Sequence, residues 1–297
     1  MTPALIAVVG PTGSGKSQFA VELCQRIDGE VVSADSVQIY RGFDIGSAKP
    51  TASERADVAH HLIDELDPLD RADAARFVEL ADSRITDILQ RRRRPVVCGG
   101  TFLWVRALTY GLAPAPGADP AIRARHREEA SELGRGHLHA RLASIDPVSH
   151  QRLQPNDLVR VSRALEVHEL TGRPLSALQA EHGFREPRHA VHLVGIRYEK
   201  SELDHRIRAR VLRMFEQGWL DEVRQLMNIG DGNAHALRSV GYRQVVEALA
   251  SDARLDLPEL IESVVRATRV FVRRQLTWLR DEPVRWLAPG ELHEFMP

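Results

Sequence analysis

Short, mostly apolar runs recur along the chain at residues 5–9, 30–34, 95–98 and 190–198. Each is bounded by glycine, proline or charged residues, so each predicts a buried strand. His60-His61-Leu62-Ile63-Asp64 predicts a further short strand. Between the runs, apolar residues return every three or four positions. Over 73–90 they are Ala74, Phe77, Leu80, Ala81, Ile85, Ile88 and Leu89, the spacing of one helix face. Similar patterns predict helices over 18–27, 102–108, 199–227 and 268–280. Strands alternating with helices predict an α/β fold, a parallel sheet flanked by helices.

The alternation stops in the middle of the chain. Residues 111–120 carry three prolines and two glycines, the composition of a linker. Residues 121–187 then keep helical spacing without a strand-like run. The expected organisation is a discontinuous core, 1–118 with 190–297, interrupted by an all-helical insertion at 119–189.

Composition changes this picture little. The 297 residues are 43% apolar, enough for an ordinary core. Formal net charge is −1, so bulk charge argues neither for nor against nucleic acid. Charge is uneven locally: ten acids face four arginines over 54–87, and six arginines face two acids over 263–286. The chain has 37 arginines but three lysines, Lys16, Lys49 and Lys200. Cys24 and Cys98 lie in apolar elements without metal-type spacing, which points to a reducing compartment. No leader-like segment precedes the first strand, and no apolar run approaches the ~18 residues of a membrane span. A cytoplasmic protein without membrane contact, monomeric, is expected.

The chemistry centres on Gly10-Pro11-Thr12-Gly13-Ser14-Gly15-Lys16-Ser17, between the first strand and the first helix. These residues fit the phosphate-loop pattern G-x-x-x-x-G-K-[S/T]. Glycines let backbone N–H groups turn inward around an anion. The helix that follows adds its positive dipole end. Lys16 suits the terminal phosphate oxygens, and the Ser17 hydroxyl suits Mg2+. The same loop serves ATP-binding kinases and other nucleotide-binding proteins, so it does not name the phosphate's owner.

Asp35-Ser36-Val37-Gln38-Ile39-Tyr40 ends the second strand, where open α/β sheets gather their chemistry. Asp35 suits a general base, a magnesium ligand or a helix N-cap. Tyr40 suits the core or a stacking platform. Lys49, within 44–50, reads as a solvated loop lysine. His60 and His61 invite a metal reading, but neighbouring strand residues point to opposite faces. The scattered histidines of 121–187 read as surface residues. Gly99-Gly100-Thr101 follows the 95–98 strand, and Thr101 would face the phosphate-loop crevice. Arg160, Arg163 and Glu166 follow Asn156-Asp157 at three-residue intervals, an ordinary salt-bridge ladder taken alone. Over 268–280 arginines interleave with Phe271 and Trp278. That pattern suits either RNA or an amphipathic helix docked on the core.

Together these segments resemble one family, the bacterial tRNA dimethylallyltransferases. The resemblance rests on the phosphate loop, the stretch from Asp35 to Tyr40, Asp44-Ile45-Gly46-Ser47-Ala48-Lys49-Pro50, His60 to Asp64, Gly99-Gly100-Thr101, Asn156-Asp157 with residues 160–167, residues 240–244 and the Arg-Gln-x-Thr-Trp segment within 273–280. Their order and spacing agree over essentially the whole chain. Two positions depart: Trp104 stands where the family has Tyr, and Phe271-Val272-Arg273 where it has a small-and-basic pair.

The resemblance implies a P-loop NTPase-like core, Mg2+ as cofactor, and tRNA and dimethylallyl diphosphate as substrates. A dimethylallyl group would pass to N6 of the adenine 3′ of the anticodon, in tRNAs reading codons that begin with U. Asp35 would be the base, with Lys16 and Thr101 also catalytic. Gly10, Pro11, Thr12, Gly13, Ser14, Gly15, Lys16, Ser17 and Arg210 would hold the diphosphate, and Ser17 the metal. Asp35, Ser36, Val37, Gln38, Thr101, Arg123, Val159, Arg160, Val161, Ser162, Arg163, Gly241, Tyr242 and Arg243 would contact the tRNA anticodon stem-loop. Two rivals stay open here. A small-molecule kinase would use the insertion as a lid over ATP. An RNA-binding NTPase would need a magnesium-binding Asp at a strand end, where residues 95–98 lead into glycines instead.

Overall fold

A computed structural model describes residues 4–251, 254–291 and 295; the extreme ends of the expected core lie outside them. The chain divides into two units, Met1–Thr109 with His189–Pro297, and Tyr110–Arg188.

The first unit begins with β1 (Leu5–Val9), α1 (Lys16–Ile27), β2 (Gly29–Ser33), α2 (Ala52–Asp57), β3 (His60–His61), α3 (Ala74–Gln90), β4 (Arg94–Gly99) and α4 (Phe102–Tyr110). In the second unit lie α5 (Pro120–Leu133), α6 (Arg135–Ile145), α7 (Pro147–Arg152), α8 (Leu158–Thr171) and α9 (Leu175–His182). The first unit resumes with β5 (Val191–Ile196), α10 (Lys200–Glu216), α11 (Trp219–Met227), α12 (Tyr242–Leu249), α13 (Leu257–Leu279) and β6 (Arg285–Leu287).

The six strands form one sheet in the order β3-β2-β4-β1-β5-β6, with every pairing parallel. β1 sits inside the sheet, Ala7 opposite Val97 on one side and Leu193 on the other. Its five residues are all buried, which is why its sequence is an unbroken apolar run. Alternate residues serve opposite faces. Ala7, Val9 and Val97 pack with Phe77, Ile88 and Val105 on one side, while Ile6, Val8 and Val96 pack with Phe19 and Leu23 on the other. All strands therefore point their carboxyl ends the same way, toward the phosphate loop and Asp35.

Several expectations for the first unit need correction. The single helix over 199–227 breaks into α10 and α11 at Gly218, whose φ of 93° only glycine adopts without strain. The break turns Trp219 into the core, 5.5 Å from the Tyr242 ring. The 60–64 strand stops after His61, because Leu62 and Asp64 take left-handed φ values of 59° and 56°. Lys49 is not solvated: its side chain is 3% exposed, and Nζ donates to the Tyr40 carbonyl at 2.8 Å and to Asp44 and Asp64 carboxylates at 2.6 Å each.

The helical unit has its own core of Leu138, Leu142, Val161, Ala164 and Leu165. His126, expected at the surface, is fully buried and bonds Ser162 Oγ at 2.9 Å and Glu169 at 3.0 Å. Among the described residues no helix is long and apolar enough to cross a membrane.

Candidate active site

The phosphate loop leaves the end of β1 and enters α1, with Gly15 in the left-handed region at φ 76°. The first N–H groups of a helix have no intrahelical acceptor, so those at the start of α1 remain for an anion. Ser14 Oγ is buried without a hydrogen-bond partner among the described residues, which leaves one more donor in the loop. Other loop groups are already spent. Arg206 Nε donates to the Gly13 carbonyl at 2.8 Å while its guanidinium lies 4.4 Å over the Tyr198 ring. Arg206 therefore braces the loop.

Thr12, Lys16, Ser17, Asp35 and Arg210 line one crevice. Burial holds the Lys16 ammonium and the Arg210 guanidinium below their ordinary ranges, and in both cases the Asp35 carboxylate pulls the other way. Two desolvated cations beside one carboxylate leave net positive charge, which suits a multivalent anion. Cys98, whose Sγ approaches the Lys16 carbonyl at 3.7 Å, is pushed up to about 11 by burial and stays a thiol. It is a packing residue of this wall.

Asp35 follows β2, and its Oδ1 accepts from the N–H groups of Val37 at 2.9 Å and Gln38 at 3.2 Å. No helix starts here, so Asp35 is not a helix N-cap; it closes the turn over 36–39 while lining the crevice. Thr101, just beyond β4, accepts from the Ser36 N–H at 3.1 Å and donates to Ser36 Oγ at 3.3 Å. It steadies the turn that carries Asp35.

The expected tRNA contacts separate by exposure. Ser36, Val159, Arg160 and Arg243 are exposed, Val159 at 80%. Val161 and Ser162 are not surface residues: Val161 packs in the helical unit's core, and Ser162 bonds His126. Gly241 and Tyr242 are buried, with Tyr242 donating to Glu222 at 2.6 Å. Arg123 and Arg163 are spent on Glu166, and Arg163 also on the Pro116 and Gly117 carbonyls. Gln38 Nε2 donates to the Ser47 and Ala48 carbonyls, and Val37 is half-buried. Trp104 stacks on Phe77 at 4.7 Å, so that departure from the family pattern is a core exchange.

Sequence reasoning missed Gln275. Its Oε1 accepts from the Thr12 N–H at 2.9 Å and its Nε2 donates to the Gly100 carbonyl at 3.0 Å. One amide thus joins the phosphate loop to the turn before Thr101. The signal was present: Val272, Gln275 and Leu279 share the buried stripe of α13, and a glutamine there needs partners. The paired histidines take separate partners. His61 bonds buried Glu30 at 2.6 Å and His60 bonds the Val58 carbonyl at 2.7 Å.

Comparison with known proteins identifies the family. The family model described as IPP transferase matches residues 38–282, and that described as isopentenyl transferase matches residues 3–67. A tRNA dimethylallyltransferase of Sorangium cellulosum is 62% identical over 96% of this chain and 90% of its own length. One of Anaeromyxobacter sp. strain K is 49% identical over 96% and 93%. The crystal structure of the tRNA isopentenylpyrophosphate transferase of Bacillus halodurans superposes with a TM-score of 0.71 at 35% identity, covering 98% of this chain and 93% of that one. Matched over most of its length by that family model and over nearly all of it by these relatives, the chain belongs to the IPP transferase family.

Proposed function

We propose that the protein transfers a dimethylallyl group from dimethylallyl diphosphate to the exocyclic N6 of the adenine directly 3′ of the anticodon, in tRNAs reading codons that begin with U. The observation that carries this reading is the placement of Asp35 on the same crevice as Lys16, Ser17 and Arg210. The cations receive the diphosphate, whose charge grows as its bond to the allylic carbon breaks. N6 forms the new bond to that carbon, diphosphate leaves with the electron pair, and the N6 proton passes to Asp35. Oδ1 of Asp35 is committed to two backbone N–H groups, so Oδ2 takes the proton. An exocyclic amine needs this help because its lone pair is delocalised into the ring. The adenine must leave its stack to enter the crevice.

The Ser17 hydroxyl, exposed on the crevice, would hold Mg2+, which would supply positive charge to the leaving diphosphate. Ser36, Val159, Arg160 and Arg243 are the exposed members of the expected tRNA set, and we assign the stem-loop contacts to them. A tRNA substrate supports a cytoplasmic location.

Calorimetric titration tests the donor assignment. Dimethylallyl diphosphate should bind with Mg2+ present, and Lys16→Ala should weaken it at least tenfold. Tight ATP binding with no response to the prenyl diphosphate would contradict the reading.

A further inference from the structure

Residues 44–49 form a loop that reaches both working groups of the crevice. Its Ser47 carbonyl accepts from Arg210 Nη2 at 3.0 Å and from Gln38 Nε2 at 3.2 Å. Gln38 in turn gives its backbone N–H to Asp35. Whatever holds this loop therefore holds the diphosphate cation and the turn bearing the base. The loop belongs to no helix or strand; its backbone closes on itself by two bonds, Ala48 N–H to the Ile45 carbonyl and Lys49 N–H to the Asp44 carbonyl, each at 2.9 Å.

Lys49 ties the end of the loop to Tyr40 and Asp64, and Glu222, in the first turn of α11, holds its start. Oε2 of Glu222 accepts from the N–H groups of Asp44 at 2.9 Å and Ile45 at 2.5 Å, and Oε1 from the Gly46 N–H at 3.1 Å. Three consecutive amides thus converge on one carboxylate, an anion nest occupied by the protein's own side chain. Tyr242 completes it, donating to Oε1 at 2.6 Å. Burial first, then Glu222, pushes that phenol well above its ordinary range, so it remains a donor. The fit is closed on the far side. A Cβ on Gly46 would lie 2.1 Å from Trp219 Nε1, and one on Gly241 would lie 2.7 Å from the same indole.

We propose that Glu222 is a positioning residue for the transfer reaction, acting through the 44–49 loop to set Arg210 against the donor's diphosphate. It touches neither substrate. A carboxylate with four donors is used here because no neutral side chain accepts as many charge-assisted bonds from successive amides. The proposal rests on the reading of the crevice as a prenyl diphosphate site.

The test compares Glu222→Gln, Tyr242→Phe, Arg210→Ala and the Glu222→Gln/Arg210→Ala double variant in the full chain. Glutamine keeps the size but turns an acceptor into a donor facing amide N–H groups. Tyr242→Phe keeps the ring and serves if Glu222→Gln does not fold. Single-turnover transfer, KM for dimethylallyl diphosphate and tRNA affinity are measured, with circular dichroism to confirm folding. Glu222→Gln should raise the donor KM about tenfold or more with tRNA affinity unchanged, and Tyr242→Phe should do so less. The double variant should lose no more than Arg210→Ala alone, since both act on one group. A donor KM within twofold of wild type in both Glu222→Gln and Tyr242→Phe overturns the proposal, as does full additivity with Arg210→Ala. If wild type transfers and Arg210→Ala is impaired while Glu222→Gln is not, only the positioning role fails. A wild type that never transfers from the prenyl diphosphate overturns the function and this role together.

Discussion

Asp35 divides its work between two oxygens. Oδ1 closes the turn to Val37 and Gln38, so truncation to Ala would disturb structure and chemistry together. Asn separates them, because its oxygen still accepts from those amides while its nitrogen accepts no proton. Asp35→Asn should keep the unfolding midpoint of wild type and lower the transfer rate constant by ~10²–10⁴, the usual contribution of a positioned general base. A single-turnover rate within about threefold of wild type would remove Asp35 from the chemistry. Gln275 tests the frame around it. Gln275→Leu leaves the Thr12 N–H and the Gly100 carbonyl without partners. Burying those groups unpaired should cost about 1–3 kcal/mol in chemical denaturation. An unchanged midpoint would mean that water replaces both bonds.

Within α8 the ladder of Arg160, Arg163 and Glu166 turns out to face two ways. Glu166 is 0% exposed and takes Arg123, Arg163 and the Asp119 N–H. Burial alone would raise its carboxyl, but the bonds from Arg123, Arg163 and Asp119 outweigh burial and hold it below the ordinary range. A depressed folded value stabilises above the unfolded value of about 4.3 and is lost as pH falls through and below it. Glu166→Ala should therefore destabilise the helical unit by about 2–4 kcal/mol at pH 7, somewhat under the cost of breaking a wholly buried pair, since both arginines keep some exposure. The difference from wild type should shrink as pH drops below about 4; a gap independent of pH would contradict the ion-pair account. Arg160 lies on the outside. Arg160→Ala should weaken tRNA binding and lower its salt slope by about one, whereas Arg163→Ala should act on stability instead. Filter binding over a salt series separates the two, and equal slopes for wild type and Arg160→Ala would exclude a phosphate contact.

Local pattern was legible wherever neighbours in sequence are partners in space. The run at 5–9 followed by the glycine loop places the phosphate site, because strand, turn and helix are contiguous. Lys49 and Glu222 were not legible: a loop lysine and a first-turn acid look like solvated residues, and the partners of Glu222 lie up to 178 residues away. For Gln275 the stripe shared with Val272 and Leu279 signalled burial, but its partner Thr12, 263 residues away, was not legible. The 199–227 helix failed for a different reason: apolar spacing continues across Gly218, so periodicity cannot see the break. Val161 and Tyr242 show a resemblance marking the right segments without saying which side chains within them face outward.

The parallel sheet brings the phosphate loop, Asp35 and Thr101 to one edge because all six strands end there. What that edge does is decided by incubating the wild-type protein with tRNA, dimethylallyl diphosphate and Mg2+, in the absence of ATP, and locating the product by mass analysis of nuclease fragments. One dimethylallyl group on the adenine 3′ of the anticodon, with one diphosphate released per group, is the expected result. Unmodified tRNA, or modification that appears only when ATP is added, would contradict the assignment of this crevice to a prenyl diphosphate.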